Sequence, residues 1–186
     1  MKKVGVLFIL LLFLTGCSGA TNEIERGMAL RSKLLQANSC SFGVDITADY
    51  GEKVYTFAMA CQGDANGNVI FTVTEPQTIS GITGAISNEG GKLTFDDTAL
   101  QFDLMSDGQV TPVSAPWVFL KTLRGGYLTS ACTEGDQLRL TIDDSYEDDA
   151  LTLDIWLDVE DIPVRAEILY DGRRILSLSV TNFTIL

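Results

Sequence analysis

Residues 40–61 of the 186-residue chain read CSFGVDITADYGEKVYTFAMAC, and the fold class can be argued from this stretch. Two runs in it alternate between apolar and polar side chains, one on either side of Gly51. Such a period of two is typical of β-strands that bury one face. The stretch therefore predicts a β-hairpin with one apolar face, formed by Cys40, Phe42, Val44, Ile46, Ala48, Tyr55, Phe57, Met59 and Cys61.

The register of this hairpin depends on the length of its turn. A two-residue turn at Tyr50 and Gly51 places Phe42 opposite Met59 and Cys40 opposite Cys61, so that every apolar residue finds an apolar partner. Tyr50 is unusual at the first position of such a turn, and a longer loop remains open.

The rest of the chain predicts a meander with two helices. Residues 22–37 and the segment SAPWVFLKTLRGG at 114–126 have helical patterns, the second with a proline near its start and two glycines at its end. The remaining segments alternate with a period of two and are joined by short turns, which gives about nine to eleven antiparallel strands, one of them from Ile79 to Ser87.

Two short helices cannot cover the apolar face of so long a flat sheet. We therefore expect an α+β fold in which a strongly curved antiparallel sheet, an incomplete β-barrel, wraps around the two helices. Such a shape can leave an apolar cavity between the sheet and the helices.

The N-terminus predicts a place for the protein in the cell. Lys2 and Lys3 precede an apolar run at 4–14, and Leu14-Thr15-Gly16-Cys17 resembles the bacterial lipobox. We expect a signal peptide at 1–16, a tether at 17–21 that carries acyl chains such as palmitate on Cys17, and a single domain at 22–186. The protein would then be extracytoplasmic and anchored to the cell membrane by its lipid. An ordinary secreted protein and an uncleaved membrane anchor are the alternatives.

The composition argues against several function classes. The chain has 13 Lys and Arg residues, 25 Asp and Glu residues and a net charge of −12, which disfavours a nucleic-acid partner. It has no histidine, the most common general base and metal ligand. No nucleophile motif or phosphate-binding loop is found, so we expect neither an enzyme nor a cofactor.

The order of these features resembles the LolA/LolB-like superfamily, which includes tethered lipoproteins of Gram-positive bacteria such as spore-germination lipoproteins. The resemblance is strongest in the closing hairpin, at Pro163, Arg165 to Ile168, Gly172, Ile175, Val180 and Asn182-Phe183. It implies a half-barrel that holds an acyl chain or another hydrophobic ligand, or that binds a lipoprotein partner. The superfamily's soluble carriers lack a lipid anchor, so this chain would act as a fixed acceptor, sensor or scaffold.

We expect the ligand to be bound by apolar residues of the hairpin, a later strand and the second helix. These residues are Phe42, Val44, Tyr55, Phe57, Met59, Phe71 and Trp117. The same pattern is compatible with a filled core, and the alternative function is then a non-enzymatic envelope scaffold, monomeric or homodimeric. Trp156 lies among polar residues and predicts either a partner surface or a site covered by a loop.

Three cysteines remain once Cys17 is assigned to the lipid. The predicted register favours a disulfide between Cys40 and Cys61, because disulfides persist outside the cytoplasm and direct cross-strand partners lie close enough. A Cys61–Cys132 bridge and three free thiols are the alternatives. The segment 64–68 resembles the start of a calcium loop, but a hairpin turn is the preferred interpretation. The segment 143–149 is more densely acidic, and a solvated loop is preferred there over weak calcium binding.

Overall fold

The computed structural model describes residues 19–96, 98–106, 109–147 and 149–186. The predicted signal peptide at 1–16 and the lipidation site Cys17 lie outside these residues. Helix α1 (Gly19–Gln36) begins three residues before the expected Asn22, so part of the predicted tether at 17–21 is helical. Helix α2 (Ala115–Gly125) follows a short 3-10 helix (Pro112–Ser114), as the proline and glycine signals predict.

Eleven strands form one antiparallel sheet, which confirms the predicted fold class. The N-terminal strands are β1 (Ser39–Asp49), β2 (Val54–Asp64), β3 (Val69–Glu75), β4 (Thr83–Ser87), β5 (Gly90–Phe95) and β6 (Thr98–Phe102). A separate two-stranded ribbon, β7 (Met105–Ser106) and β8 (Gln109–Val110), precedes the 3-10 helix. The C-terminal strands are β9 (Tyr127–Glu134), β10 (Gln137–Asp143), β11 (Leu151–Leu157), β12 (Pro163–Tyr170) and β13 (Arg173–Ile185).

The two halves of the sheet are joined by the pairing of β1 with β13. The strand order is β6-β5-β4-β3-β2-β1-β13-β12-β11-β10-β9, so β6 and β9 are the two edges of an unclosed barrel. Each half is a meander of hairpins, and only the β1–β13 contact is distant in sequence.

Strand β1 defines two ends of the sheet, here called the Tyr50 end and the Ser39 end. The Tyr50 end contains the β1–β2 turn (50–53), the β3–β4 connection (76–82) and the β12–β13 turn (171–172). The Ser39 end contains the β2–β3 turn (65–68) and the β11–β12 turn (158–162).

The concave side of the sheet is packed around α2. The alternating residues of β1 from Cys40 to Ala48 are all buried, as predicted from their period of two. Phe119 of α2 is fully buried and its ring lies 5.7 Å from that of Phe42 and 6.3 Å from that of Phe183. These edge-to-face contacts fill the middle of the half-barrel with protein side chains.

The predicted register of the first hairpin is wrong by two residues. Phe42 pairs with Cys61 and Cys40 pairs with Gly63, because a four-residue loop (50–53) connects the strands. Tyr50 N donates to Lys53 O at 3.0 Å and Gly51, at a φ of 86°, donates to the Asp49 carboxylate at 2.8 Å. A shift of two residues keeps every side chain on its predicted face, so the apolar pattern alone could not exclude it.

Candidate functional site

An apolar pocket of about 360 Å³ lies on the concave side at the Tyr50 end. Its walls come from the first hairpin, the β3–β4 connection, β5 and the 3-10 helix. The residues that line it are Tyr50, Tyr55, Phe57, Val73, Ile79, Ile82, Leu93, Pro112 and Val113. None of them carries a charge at neutral pH, so the pocket offers apolar surface without an ionic partner.

The first wall of the pocket is fixed by Tyr50. Its hydroxyl donates a hydrogen bond of 2.8 Å to the carbonyl oxygen of Val110, which joins the β1–β2 turn to the segment before α2. Its ring makes an edge-to-face contact with Tyr55 at a centroid distance of 6.4 Å. Burial raises the pKa of Tyr50, and the neighbouring Tyr55 raises it further, so the Tyr50 phenol is neutral at physiological pH.

The second wall is the β3–β4 connection. Ile79 N donates to Pro76 O at 3.0 Å, and Gly81, at a φ of 89°, donates to Val73 O at 2.9 Å. The sequence predicts a strand from Ile79 to Ser87, but the strand begins only at Thr83. The bend formed by these bonds instead turns Ile79 and Ile82 toward the pocket.

The rim of the pocket leaves apolar side chains in water. Tyr55 is 48% exposed and Ile79 is 38% exposed, although both are large. Leu93 of the pocket wall lies opposite Leu100 of the edge strand β6, which is 63% exposed, and Phe95 is also exposed. Apolar surface therefore continues from the pocket to the open edge of the barrel.

Two of the predicted ligand-binding residues line this pocket. They are Tyr55 and Phe57. The other five are buried among protein side chains: Phe42, Val44, Met59, Phe71 and Trp117. Sequence reasoning missed most of the wall. The signal that could have found it is the pair of isoleucines in the segment PQTISGI at 76–82, which begins with a proline and contains a glycine.

The predicted Cys40–Cys61 disulfide is not formed in this structure. Cys40, Cys61 and Cys132 are free thiols, and the observed register makes the first two diagonal neighbours rather than direct partners. Diagonal positions are about 7–8 Å apart, beyond the usual disulfide range. Burial, with a smaller contribution from the nearby Cys40, raises the pKa of Cys61 to about 12.

Trp156 lies on the convex side but is covered by neighbouring side chains. The Arg165 guanidinium lies 4.3 Å from the centre of its ring, and its indole Nε1 donates to Glu134 at 2.9 Å. The side chain is 6% exposed. The cover of Trp156 is therefore not the predicted loop but an arginine from the neighbouring strand β12 and a glutamate from β9, two strands away.

The first acidic segment forms a hairpin turn. Its Asp64 carboxylate accepts hydrogen bonds from the backbone of Asn66 and Asn68 at 2.9 Å each, and from the Asn68 side chain at 2.8 Å. Burial alone would raise the pKa of Asp64, but these hydrogen bonds outweigh it and lower the pKa. No group of three metal-binding side chains is found in the part of the chain that the structure describes.

No helix among the described residues is long and apolar enough to cross a membrane. No family model matches the chain, and no curated protein sequence matches it either.

Comparison with solved structures gives matches of low identity. A LolA superfamily protein from Nitrosomonas europaea is 10% identical, with 91% of this chain and 94% of that chain covered and a TM-score of 0.47. The lipoprotein LppX from Mycobacterium tuberculosis is 15% identical over 88% and 92% of the two chains, with a TM-score of 0.42. LprF from Mycobacterium bovis is 10% identical over 91% and 98%, with a TM-score of 0.43. The first of these carries the name of the superfamily that the sequence resembles, and the expected unclosed antiparallel sheet around two helices is the one observed.

Proposed function

We propose that this protein is a non-enzymatic, lipid-anchored extracytoplasmic domain that holds one acyl chain in the pocket at the Tyr50 end. The observation that carries the proposal is the pocket itself, whose walls are apolar and whose rim keeps Tyr55 and Ile79 exposed to water. Anchoring through Cys17 is supported by the lipobox-like sequence at residues 14–17.

The energetics favour a hydrocarbon ligand over a polar one. Each methylene group that leaves water for an apolar site contributes about 0.8 kcal/mol. A polar headgroup would lose hydration without gaining a partner, because no charged side chain lines the pocket. The headgroup of the ligand therefore stays outside the pocket, and the acyl chain enters it.

The size of the pocket limits what it holds. A volume of about 360 Å³ is near the lower end of the range for small-molecule sites, about 300–1,000 Å³. The middle of the half-barrel is occupied by Phe119 and its neighbours, so the pocket does not continue through the domain. One acyl chain, or one segment of it, suits this volume better than several.

A protein-binding scaffold is the second candidate function. It is favoured by the edge strand β6, where Leu100 and the adjacent Phe95 of β5 are exposed. An unpaired strand with exposed apolar side chains can pair with a strand of another chain, including a second copy.

The test uses a fluorescent fatty acid, cis-parinaric acid, and a Cys17→Ser chain without its lipid. We expect saturable binding, and a loss of at least tenfold in affinity when Ile79→Glu places a charge on the pocket wall. The matched control is Ile70→Glu, because Ile70 is 54% exposed and does not line this pocket. Absence of binding, or equal losses in both variants, would contradict the proposal. Concentration-dependent dimerisation that Leu100→Glu abolishes, without fatty-acid binding, would support the scaffold instead.

A further inference from the structure

The anchor and the pocket lie at opposite ends of the sheet. The pocket is formed at the Tyr50 end by the β1–β2 turn and the β3–β4 connection. Cys17 precedes α1 by two residues, so the position of α1 determines where the lipid attaches. Both ends of α1 can be located from their contacts with the sheet.

The N-terminal half of α1 is fixed at the Ser39 end. Arg26 forms an ion pair of 2.6 Å with Asp161 in the β11–β12 turn, and Glu23 accepts a hydrogen bond of 3.2 Å from Thr133 near the end of β9. Both partners belong to the end of the sheet that holds Ser39.

The C-terminal half of α1 is fixed at the same end. The Arg124 guanidinium of α2 donates to Leu34 O at 2.8 Å and to Ala65 O in the β2–β3 turn at 2.7 Å. Asn38 N, just after the helix, donates to Leu186 O at 3.1 Å. Helix α1 therefore runs across the Ser39 end rather than toward the pocket.

An acyl chain on Cys17 is too short to reach the pocket. Strand β1 has 11 residues and is therefore about 33 Å long. The two Cα–Cα steps from Cys17 to Gly19 span at most about 7 Å. An acyl chain covers one leaflet, about half of a hydrocarbon core that is about 30 Å thick. The combined length of this tether and one acyl chain is less than the length of β1.

The direct route between the two ends is also blocked. Phe119, Leu120 and Leu123 of α2 occupy the middle of the half-barrel and are at most 1% exposed. Close packing of such a core leaves no channel for a hydrocarbon chain.

We propose that the pocket faces away from the membrane that anchors the protein and receives the acyl chain of another molecule, not the protein's own lipid. This inference rests on the proposed function, because it assumes both the lipid on Cys17 and the acyl-binding pocket.

The test is photo-crosslinking from inside the pocket. The photoreactive residue p-benzoylphenylalanine replaces Tyr55, which is exposed at the pocket rim, in the lipidated chain and in the Cys17→Ser chain. The lipidated chain is held in phosphatidylcholine nanodiscs. Deuterated palmitate and a deuterated triacylated lipopeptide are offered in separate experiments, so that a free lipid and a lipoprotein can be distinguished as sources. The same replacement at Ile70, on the convex side, is the control.

We expect equal deuterated adducts, within twofold, on the Tyr55 peptide of both chains, and at least tenfold less adduct at Ile70. A crosslink between position 55 and the chain's own N-terminal lipopeptide, with deuterated adduct only in the Cys17→Ser chain, would overturn this inference but retain the acyl-binding pocket. Absence of adduct from both chains would overturn the proposed function and, with it, this inference.

Discussion

Cys61 is the direct cross-strand partner of Phe42, and Cys40 lies two pairs further along the hairpin, opposite Gly63. The two thiols face the same side of the sheet but are diagonal to each other. This arrangement determines their chemistry, because a disulfide requires closer Cα and Cβ atoms than diagonal positions provide.

We predict that Cys40, Cys61 and Cys132 are all reduced in a Cys17→Ser chain purified without reductant. In the native state at pH 8, iodoacetamide should label the half-buried Cys132 alone, because burial raises the pKa of Cys61 to about 12 and also raises that of Cys40. Unfolding in urea should expose all three to labelling, counted by intact mass. The Cys40–Cys61 disulfide would be shown to form if the unreduced protein were lighter by two hydrogens and only one thiol reacted in urea.

The hairpin also shows how far the sequence could predict this fold. The period of two placed Cys40, Phe42 and Met59 on the buried face correctly, because burial depends only on alternation. The register depends on the loop, where hydrogen bonds of Tyr50, Gly51 and Asp49 form a four-residue turn that alternation does not encode.

The candidate site was predicted less completely than the fold. Tyr55 and Phe57 were found because they belong to an alternating strand. Ile79 and Ile82 were assigned to a strand, and their orientation toward the pocket depends on bonds between Val73 and the connection that follows it. The helical pattern predicted α2. It did not predict that Phe119 would fill the space that the aromatic residues were expected to leave open.

We predict that Tyr50→Phe lowers the free energy of unfolding by about 1–2 kcal/mol, because it leaves the buried carbonyl of Val110 without its donor. Tyr55→Phe is the control, since Tyr55 is more exposed. Urea denaturation at pH 7 measures both. Equal effects of the two substitutions would mean that the Tyr50 hydroxyl does not hold the pocket wall.

The raised pKa of Tyr50 predicts that the protein loses stability at alkaline pH. Burial raises the pKa of Tyr50 in the folded state, with Tyr55 adding to the shift, so folding favours the neutral phenol. The contribution of the neutral Tyr50 phenol to the free energy of unfolding is complete below about pH 10, the pKa of tyrosine in the unfolded chain. It is lost as the pH rises from that value toward the pKa in the folded state. The urea midpoint should therefore fall less between pH 8 and pH 10.5 in Tyr50→Phe than in the unmodified chain, and an identical fall would contradict this assignment.

We predict that Gly84→Ala destabilises the N-terminal half of the sheet by about 1–3 kcal/mol. A Cβ atom at Gly84 would overlap the ring of Phe71 from the neighbouring strand and would lie 2.8 Å from the carbonyl oxygen of Lys92. Gly125→Ala in α2 is the control, because nothing lies within 4 Å of its added carbon. Thermal unfolding compares the two, and a neutral Gly84→Ala would show that the Phe71 ring can move aside.

An acid-side prediction concerns Glu167 of β12. Burial alone would raise its pKa, but hydrogen bonds from Arg165 and Arg174 outweigh burial and lower it. Its contribution is therefore present above the unfolded pKa of about 4.3 and is lost as the pH falls through the folded pKa. Glu167→Gln should cost about 1 kcal/mol or less at pH 7 and less than that at pH 3, measured by urea denaturation. A loss of equal size at both pH values would indicate a packing effect.

The last prediction separates structure from recognition at Trp156. This side chain is enclosed by Arg165 and donates to Glu134, so Trp156→Ala should lower the free energy of unfolding by about 3–5 kcal/mol. Trp156→Phe keeps most of the packing and should cost about 1–2 kcal/mol for the lost hydrogen bond. Because Trp156 lies on the convex side, away from the pocket, Trp156→Phe should bind cis-parinaric acid as tightly as the unmodified chain. Unchanged stability in Trp156→Ala, together with a change in oligomeric state by light scattering, would instead identify this tryptophan as a contact with another molecule.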